Sequence, residues 1–298
     1  MGMIEKILAL RGLTGGSDTE GLKITDASYL FYYGARLNAI DVLLADCKPT
    51  NCEHMFHSCN KLEEIPYFDT SECKTFDNAF CNCYKLKQVP PIDISNAYDY
   101  DNCFANCKTI TSVPDLMLGM NGGDSIKNQV SCCYMFENCL ELVSVGVISF
   151  DTTKLTGCIL SSMFSNCTKL KTIEGLEMGG YMSGNQSYFT YTSVFNKCSA
   201  IENLKVYNVQ KSLTVGSGTS WGHLLTVDSL VHTIKELCTA SSGQTLTMGS
   251  ANLEKISGLY CRIIDPDHKK KTMELCESTD EGAMTLIDYA AEKNWSIN

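Results

Sequence analysis

The sequence predicts an α/β solenoid, in which short parallel strands and helical turns stack in successive units. One observation is a phenylalanine that recurs seven times, at spacings of 24 to 32 residues. A second is a fixed set of apolar residues around each copy, which is typical of units that bury their apolar faces only against neighbouring units. A third is the segment from residue 225 onward, where the repeat stops and helix and strand patterns alternate. This segment predicts a small α/β unit that caps the solenoid.

Each unit is organised around the recurring phenylalanine, which we call the anchor and number as position 0. Position +3 is Cys in six of the seven units, position +6 is Leu or Ile in all seven, and position +9 is Ile, Val or Leu. Four apolar columns in register over seven copies predict one continuous core. The anchors are Phe31, Phe56, Phe80, Phe104, Phe136, Phe164 and Phe195.

Apolar residues also precede most anchors, at positions −4 and −1. Positions −4, −1, 0 and +3 share one face of a helix, so we expect each unit to begin with a short amphipathic helical segment. Position +2 is Asn or Ser in five units, which favours the end of a helix there. We expect a strand of about three or four residues around +9, because Pro66, Pro90 and Pro114 follow that position and proline cannot donate to a strand ladder.

The motif F-x-x-C-x-x-L-x-x-I/V-P resembles the BspA-like class of leucine-rich repeat, over residues 24 to 209. The segment from Ala79 to Pro90, AFCNCYKLKQVP, is the closest copy. Gly34 replaces Cys in the first unit, as expected of an atypical terminal repeat. The resemblance implies a right-handed superhelix and a role in binding rather than chemistry, in bacterial surface proteins, adhesins and phage-derived proteins.

We divide the chain into an N-terminal lead or cap (1–23), a leucine-rich-repeat solenoid (24–224) and a C-terminal capping region (225–298). A cap is expected because the last unit of a solenoid exposes an apolar end face. The elements expected in it are a helix from Val227 to Leu237, a strand at Gln244–Met248, a helix at Asn252–Tyr260, a strand at Cys261–Ile264, a helix marked by Met284, Ile287 and Ala291, and a strand at Trp295–Asn298.

Composition excludes several classes of partner. The net charge of −10 argues against sequence-independent nucleic-acid binding, which needs clustered Lys and Arg. No apolar run reaches the ~20 residues of a membrane span, and the start from Met1 to Gly16 lacks the basic cluster of a signal peptide. We therefore expect no nucleic-acid partner and no membrane insertion, and we favour a virion tail or a bacterial cell surface as the location.

Seventeen cysteines are present, an odd number, and six of them occupy position +3. Because Cys packs as a small hydrophobe, we expect thiols in the core, with some disulfides as the alternative. The sequence contains no P-loop, dinucleotide fingerprint or H-E-x-x-H motif, and we predict no cofactor.

Two catalytic hypotheses are alternatives to a non-catalytic role. The segment Gly218–Gly222 matches G-x-S-x-G, with Ser220 as a nucleophile and His223 adjacent, but it lacks the strand-to-helix context of a hydrolase elbow. A Cys–His pair is the second hypothesis, although so many pairings exist that none is singled out. We predict no catalytic residue.

His54 and His57 lie close to Cys52 and Cys59 in the sequence, and these four residues are of the types that bind zinc. The two cysteines belong to the apolar columns of the repeat and the two histidines to its solvent side. Because zinc ligands must converge on one point, we predict no metal site.

The strand face is the first predicted binding surface. Position +8 neighbours the buried +9 residue, so its side chain points to the opposite side of the strand, toward solvent. These residues are small and polar with a single charge, as expected of a hydrogen-bonding surface for a protein or a glycan. They are Glu64, Gln88, Ser112, Ser144, Thr172 and Asn203.

Gly-rich insertions form the second predicted surface. They occur at one phase of the repeat, so they should emerge along one edge of the solenoid. Tyr181, Tyr188, Tyr191 and Trp221 lie in or beside them and suit adaptable contacts. We therefore predict a non-catalytic binding module for a protein or glycan on a cell surface, in a phage tail or fibre or a bacterial adhesin, and a homo-oligomer if it belongs to a fibre. The alternatives are a hydrolase and an inert structural spacer.

Overall fold

The computed structural model describes residues 24–34, 47–120, 129–151, 154–179, 189–216, 222, 224–240, 243–264 and 273–298. Over these residues the chain is a β-solenoid followed by an α/β region, which confirms the predicted solenoid. The strands are Ile24–Asp26 (β1), Cys47–Asn51 (β2), Ser112–Val113 (β3), Leu116–Leu118 (β4), Gln129–Ser131 (β5), Ser144–Phe150 (β6), Gly157–Ile159 (β7), Thr172–Glu177 (β8), Asn203–Tyr207 (β9), Leu213–Thr214 (β10), Gln244–Thr247 (β11), Tyr260–Ile263 (β12), Met273–Cys276 (β13), Met284–Thr285 (β14) and Trp295–Ile297 (β15). The helices are Val227–Lys235 (α1), Ser250–Ile256 (α2) and Leu286–Glu292 (α3).

The seven anchors form one continuous stack through the core. Each anchor is at most 1% exposed. Successive ring centroids lie 4.9 to 6.3 Å apart, with ring planes within 10° of parallel. The repeat register read from the sequence is therefore the register of the core.

The helical segments predicted at the start of each unit are wrong. The backbone there forms successive tight turns, in which the Met55 N–H donates to the Cys52 carbonyl (3.1 Å) and the Cys59 N–H to the Phe56 carbonyl (3.0 Å). Positions −2 and +2 have φ between 52° and 63° in all seven units. Residues in the left-handed region at every fourth position cannot continue a right-handed helix. The unit is therefore a β-type turn structure, and the finer α/β description does not hold for it.

Backbone hydrogen bonds join each unit to the next at the same four positions. The N–H groups at −4, −2, 0 and +2 donate to the carbonyls at −5, −3, −1 and +1 of the following unit in all six contacts between units. Phe56 N–H, for example, donates to the Ala79 carbonyl at 2.7 Å. These bonds satisfy the backbone of the turns, which the core would otherwise leave unpaired.

The cysteines at +3 form a second ladder. Each thiol donates to the carbonyl oxygen of the anchor in the preceding unit at 3.0 to 3.3 Å, as Cys59 does to Phe31. The donors are Cys59, Cys83, Cys107, Cys139, Cys167 and Cys198. Gly34 in the first unit has no earlier anchor to bond. All six cysteines of this ladder are free and buried, which confirms the expectation of core thiols over disulfides for them.

The strands of the later units form a parallel sheet in the order β3-β6-β8-β9, with β4 also paired to β6. The strands β6, β8 and β9 have seven, six and five residues, longer than expected. Their units carry no proline at +10, whereas the unit with Pro114 has only a two-residue β3. Proline therefore shortens the strands of the early units, for the reason given above.

The C-terminal region continues the parallel pairing. Strands β10, β11 and β15 form a parallel sheet, and β12 pairs antiparallel with β13 and β14. Helices are observed at all three expected places, but their bounds differ from those predicted. Helix α2 begins two residues early, directly after Gly249 at φ 75°, and ends at Ile256, so that Tyr260 belongs to β12. Met284, predicted in the last helix, belongs to β14. Sequence reading missed β13 and β14. No helix within the described ranges is long and apolar enough to cross a membrane.

Candidate functional site

The parallel sheet gathers four of the six residues predicted for the strand face. Ser112 pairs with Ser144, Ser144 with Thr172, and Thr172 with Asn203, so their side chains form one row across β3, β6, β8 and β9. All four are exposed or half-buried. Glu64 and Gln88 are exposed but lie outside the named strands. We call the four aligned residues the sheet row.

Several charges on the strand side of the solenoid are paired between units. A lysine of one unit contacts a glutamate of a neighbouring unit at 2.6 to 4.0 Å, in the pairs Lys87–Glu63, Lys169–Glu141, Lys171–Glu202 and Lys205–Glu174. These side chains are about half exposed, so each pair adds little stability. The strand side is therefore polar and only partly compensated in charge, because the exposed Glu64 and Asp115 form no salt bridge within the described residues.

Apolar side chains border the same sheet. Met117 on β4 is 58% exposed and Val147 on β6 is 40% exposed. Gly175 lies opposite Val147, and a Cβ at Gly175 would approach Tyr207 within 3.1 Å and Val147 within 3.3 Å. The strand face therefore combines hydrogen-bonding groups with an apolar border.

The predicted loop edge is not supported by the one member that is described. Tyr191 is 4% exposed, and its hydroxyl donates to the Met178 carbonyl. It occupies position −4, as does Tyr100, whose buried hydroxyl donates to the Ile94 carbonyl at 2.5 Å. Position −4 faces the core, so Tyr191 is corrected from a ligand contact to a core residue. Tyr181, Tyr188 and Trp221 lie outside the described residues.

Neither catalytic hypothesis gains a site in the described residues. Ser220 and His223 lie outside them. Burial raises the pKa of Cys59 to about 11 and of Cys139 to about 12. A nucleophilic cysteine needs a lowered pKa, so these thiols are unsuited to attack.

Sequence reading missed an acidic column on the side of the solenoid formed by the tight turns around each anchor, which we call the turn face. Glu53, Asp77 and Asp101 occupy position −3 in three successive units, and Asp99 lies two residues before Asp101. Burial, with the charge of Asp101 as the next cause, raises the pKa of Asp77 to about 6. Burial likewise raises the pKa of Asp99 to about 6. We call these four residues the acidic column.

The acidic column differs from the strand face in its lack of counter-charge. No Lys or Arg within the described ranges lies at salt-bridge distance from Asp77, Asp99 or Asp101. Asp101 accepts hydrogen bonds from the Ser131 hydroxyl (2.6 Å) and the Cys133 N–H (2.7 Å), which are neutral donors. The negative charge of the column is therefore uncompensated locally.

An aromatic patch adjoins the acidic column on the first two units, and it consists of Tyr29, Tyr32, Tyr33, His54 and His57. Tyr29 stacks on His54 with ring centroids 4.7 Å apart, and Tyr32 stacks on His57 at 5.1 Å. The three tyrosines remain 46%, 40% and 63% exposed, in chain order. Burial lowers the pKa of His57, and the neighbouring His54 adds to this, so His57 is neutral at neutral pH.

The two features meet at Glu53. The Tyr29 hydroxyl donates to the Glu53 carboxylate at 3.4 Å, and His54 Nε2 lies 3.9 Å from the same carboxylate. Glu53, His54 and Asp77 bring one ligand atom each within 4.8 Å of one another, a set that could hold a metal ion. Cys52 and Cys59, which are close to His54 in the sequence, face the core, since each is at most 1% exposed. Three carboxylates recurring at position −3 were the signal available in the sequence.

Comparison with known proteins gives one partial match. A family model described as a Mycoplasma protein of unknown function, DUF285, matches residues 17–115, which is 99 of 298 residues. The matched part includes the anchors from Phe31 to Phe104, the aromatic patch and the acidic column. No curated protein and no solved structure matches the chain.

Proposed function

We propose that this chain is a non-catalytic binding module that recognises a protein or a glycan through its strand face. The observation that carries the proposal is the sheet row, in which Ser112, Ser144, Thr172 and Asn203 are held side by side by the strand ladder. Hydroxyl and amide side chains both donate and accept hydrogen bonds, as recognition of peptide groups or sugar hydroxyls requires.

The row is suited to binding because it is fixed before a ligand arrives. Its members belong to strands whose backbones are mutually hydrogen-bonded, so little conformational freedom is lost on binding. Three interstrand spacings of ~4.8 Å give a row of ~14 Å, the length of about four extended peptide residues. The uncharged side chains of the row and the apolar border at Met117 and Val147 fit an uncharged ligand surface.

We further propose that the repeat is of the BspA-like leucine-rich type and that the chain acts in a phage tail or fibre or as a bacterial adhesin. The motif from Ala79 to Pro90 and the stacked anchors support this. The tight turns at the start of each unit would then be this chain's variant of the helical segment of that class.

The test is binding to arrays of glycans and of purified cell-surface proteins, followed by substitution of the sheet row. For any ligand found, Ser144→Arg and Thr172→Arg should each weaken binding at least tenfold, because an arginine there blocks the row sterically. Thr192→Arg is the matched control, since Thr192 is an exposed threonine on the turn face.

Three outcomes would contradict the proposal. Absence of any ligand on both arrays would favour the inert spacer. Equal loss of binding in Thr192→Arg would move recognition away from the sheet row. Labelling of the folded protein at Ser220 by a fluorophosphonate probe, or at one cysteine by a thiol-reactive probe with loss in a His variant, would favour an enzyme.

A further inference from the structure

The turn face of the first units has two properties that the rest of the described solenoid does not combine. Tyr29, Tyr32 and Tyr33 expose ring surface, and their ring planes lie at 60° (Tyr29 to Tyr32) and 82° (Tyr32 to Tyr33), so the faces point in more than one direction. Beside them runs the acidic column, whose charge no described lysine or arginine compensates. Exposed aromatic rings and unpaired carboxylates each attract cations.

We propose that the aromatic patch and the acidic column together bind an arginine side chain of a partner polypeptide. The guanidinium stacks on the exposed tyrosine rings and forms hydrogen-bonded ion pairs with Glu53 and Asp77. This surface lies on the turn face and is separate from the sheet row. The arginine proposal can therefore be tested independently of the proposed function.

Arginine fits this surface better than lysine. Its guanidinium is planar, stacks on aromatic faces and presents a fork of donors to carboxylates. A lysine ammonium is a compact, strongly hydrated charge that gains less from stacking. The Tyr29 hydroxyl already approaches Glu53 at 3.4 Å, so ring and carboxylate are within reach of one bound group.

A partner with positive charge is argued from complementarity. On the strand side, four glutamates pair with lysines of neighbouring units, as Glu63 does with Lys87 at 2.6 Å. The acidic column has no such arrangement in the described residues, and the chain carries a net charge of −10. A bound cationic side chain supplies the missing counter-charge.

A divalent cation at Glu53, His54 and Asp77 is the competing occupant. Their ligand atoms lie within 4.8 Å of one another, but His54 Nε2 is 3.9 Å from Glu53 and its ring is stacked on Tyr29. A metal ion would use none of the exposed surface of Tyr32 and Tyr33. The observations therefore favour arginine, and the experiment includes a chelator arm.

The experiment measures fluorescence anisotropy of a labelled Arg-Gly-Ser repeat peptide titrated with the full chain at low salt, with EDTA present. The matched peptide carries citrulline, a neutral isostere, in place of arginine. We expect saturable binding of the arginine peptide and at least a tenfold weaker binding of the citrulline peptide. A lysine peptide should bind more weakly than the arginine peptide.

The two tyrosine variants introduce a residue that the repeat itself uses at the same positions. Tyr29→Asn and Tyr33→Asn place at −2 and +2 the residue found there at Asn78 and Asn82, which also have positive φ. Each should weaken binding by about two- to fivefold, the range expected for one exposed cation–π contact. Asp77→Asn should weaken binding similarly and lower its salt dependence.

Tyr134→Asn is the matched control. Tyr134 is also at position −2, is 42% exposed and has φ 58°. It directly follows Cys133, which bonds Asp101, but it lies three units away from the aromatic patch and away from the proposed contacts Glu53 and Asp77. Its substitution should leave binding unchanged. Circular dichroism of each variant checks that the solenoid is intact.

Four results would overturn the proposal. They are equal binding of the arginine and citrulline peptides, no saturable signal up to about 1 mM protein, an equal loss in Tyr134→Asn, and binding that requires a divalent metal and disappears in EDTA.

Discussion

Removal of one ring from the middle of the anchor stack should be among the most damaging single substitutions in the solenoid. Phe104 is fully buried and lies between Phe80 at 5.1 Å and Phe136 at 5.4 Å, with both neighbouring rings within 7° of parallel. Phe104→Ala therefore leaves a cavity in the core and removes two stacked contacts.

Its magnitude follows from those two losses. A buried Phe→Ala substitution costs about 3–5 kcal/mol through lost transfer energy and residual cavity. Each aromatic pair adds ~0.5–1.5 kcal/mol beyond burial, which places Phe104→Ala at the upper end of that range. Phe195, the last anchor, stacks on Phe164 alone at 6.3 Å, so Phe195→Ala should cost less, by about one stacked pair.

The assay is urea unfolding under reducing conditions, followed by far-ultraviolet circular dichroism and by tyrosine fluorescence. Coincident transitions justify a two-state free energy, and a reduced m-value would show that the damaged unit uncouples the ends of the stack. Tyr67→Ala is the control, because Tyr67 is 66% exposed and its loss should change stability by no more than about 0.5 kcal/mol.

A loss below ~1 kcal/mol for Phe104→Ala would refute the reasoning, since no buried, stacked ring could be removed so cheaply. Equal losses of unfolding free energy for Phe104→Ala and Phe195→Ala would still agree with the contribution of burial. They would contradict the additional contribution that we assign to ring stacking.

Three further predictions concern the thiol ladder, the acidic column and the turns. Iodoacetamide at about pH 8 should alkylate Cys276 in the folded protein and spare Cys139, because Cys139 is fully buried with its pKa raised to about 12; equal modification by mass spectrometry would contradict this. Burial raises the pKa of Asp99 to about 6, above the ~3.9 of an unfolded aspartate, so the folded state binds more protons in that interval. The wild type should therefore gain stability relative to Asp99→Asn as the pH falls from about 7 to about 5, and a pH-independent difference in melting temperature would contradict this. Asn138 has φ 59° and shares amide hydrogen bonds with Asn106 (3.1 Å) and Asn166 (2.8 Å). Asn138→Ala should cost ~1 kcal/mol more than Asn138→Gly, which loses the same bonds without the strain of a left-handed alanine; equal unfolding midpoints would argue against that strain.

The stack was predictable because burial repeats with the unit. The anchor, Cys and Leu columns appear in the sequence at fixed positions, and each proved to be a column of the core, as Phe104, Cys107 and Ile110 show by their complete burial. The sheet row followed from the same register, because residues on either side of a buried strand position point outward.

The turns were not predictable from the apolar pattern. A helix and a run of tight turns both place residues three apart on the same side, so the spacing −4, −1, 0, +3 fits either. The distinguishing signal was polar, namely Asn at position −2 in Asn78 and Asn102 as well as Asn at +2. Two asparagines four residues apart in a single unit indicate two left-handed residues, which a helix cannot contain.

The acidic column was missed for a related reason. The columns were compared for apolar residues, and position −3 is polar in nearly every unit. A comparison of charge by column would have placed Glu53, Asp77 and Asp101 together. Whether these carboxylates have a counter-charge depends on where the lysine side chains lie in the folded protein, which the sequence alone does not reveal.

Backbone strain gives an independent reason to assign a role to the aromatic patch. Tyr29 and Tyr33 have φ of 57° and 56°, a conformation that costs a bulky side chain roughly 1–2 kcal/mol and that asparagine adopts more readily. The stacking of Tyr29 on His54 returns at most ~0.5–1.5 kcal/mol, and less at an exposed site. Stability therefore does not account for tyrosine at both strained positions of the first unit, where the third and fourth units have asparagine at both. Retention of strain at an exposed surface is typical of functional sites, and here it occurs where uncompensated carboxylates adjoin exposed rings.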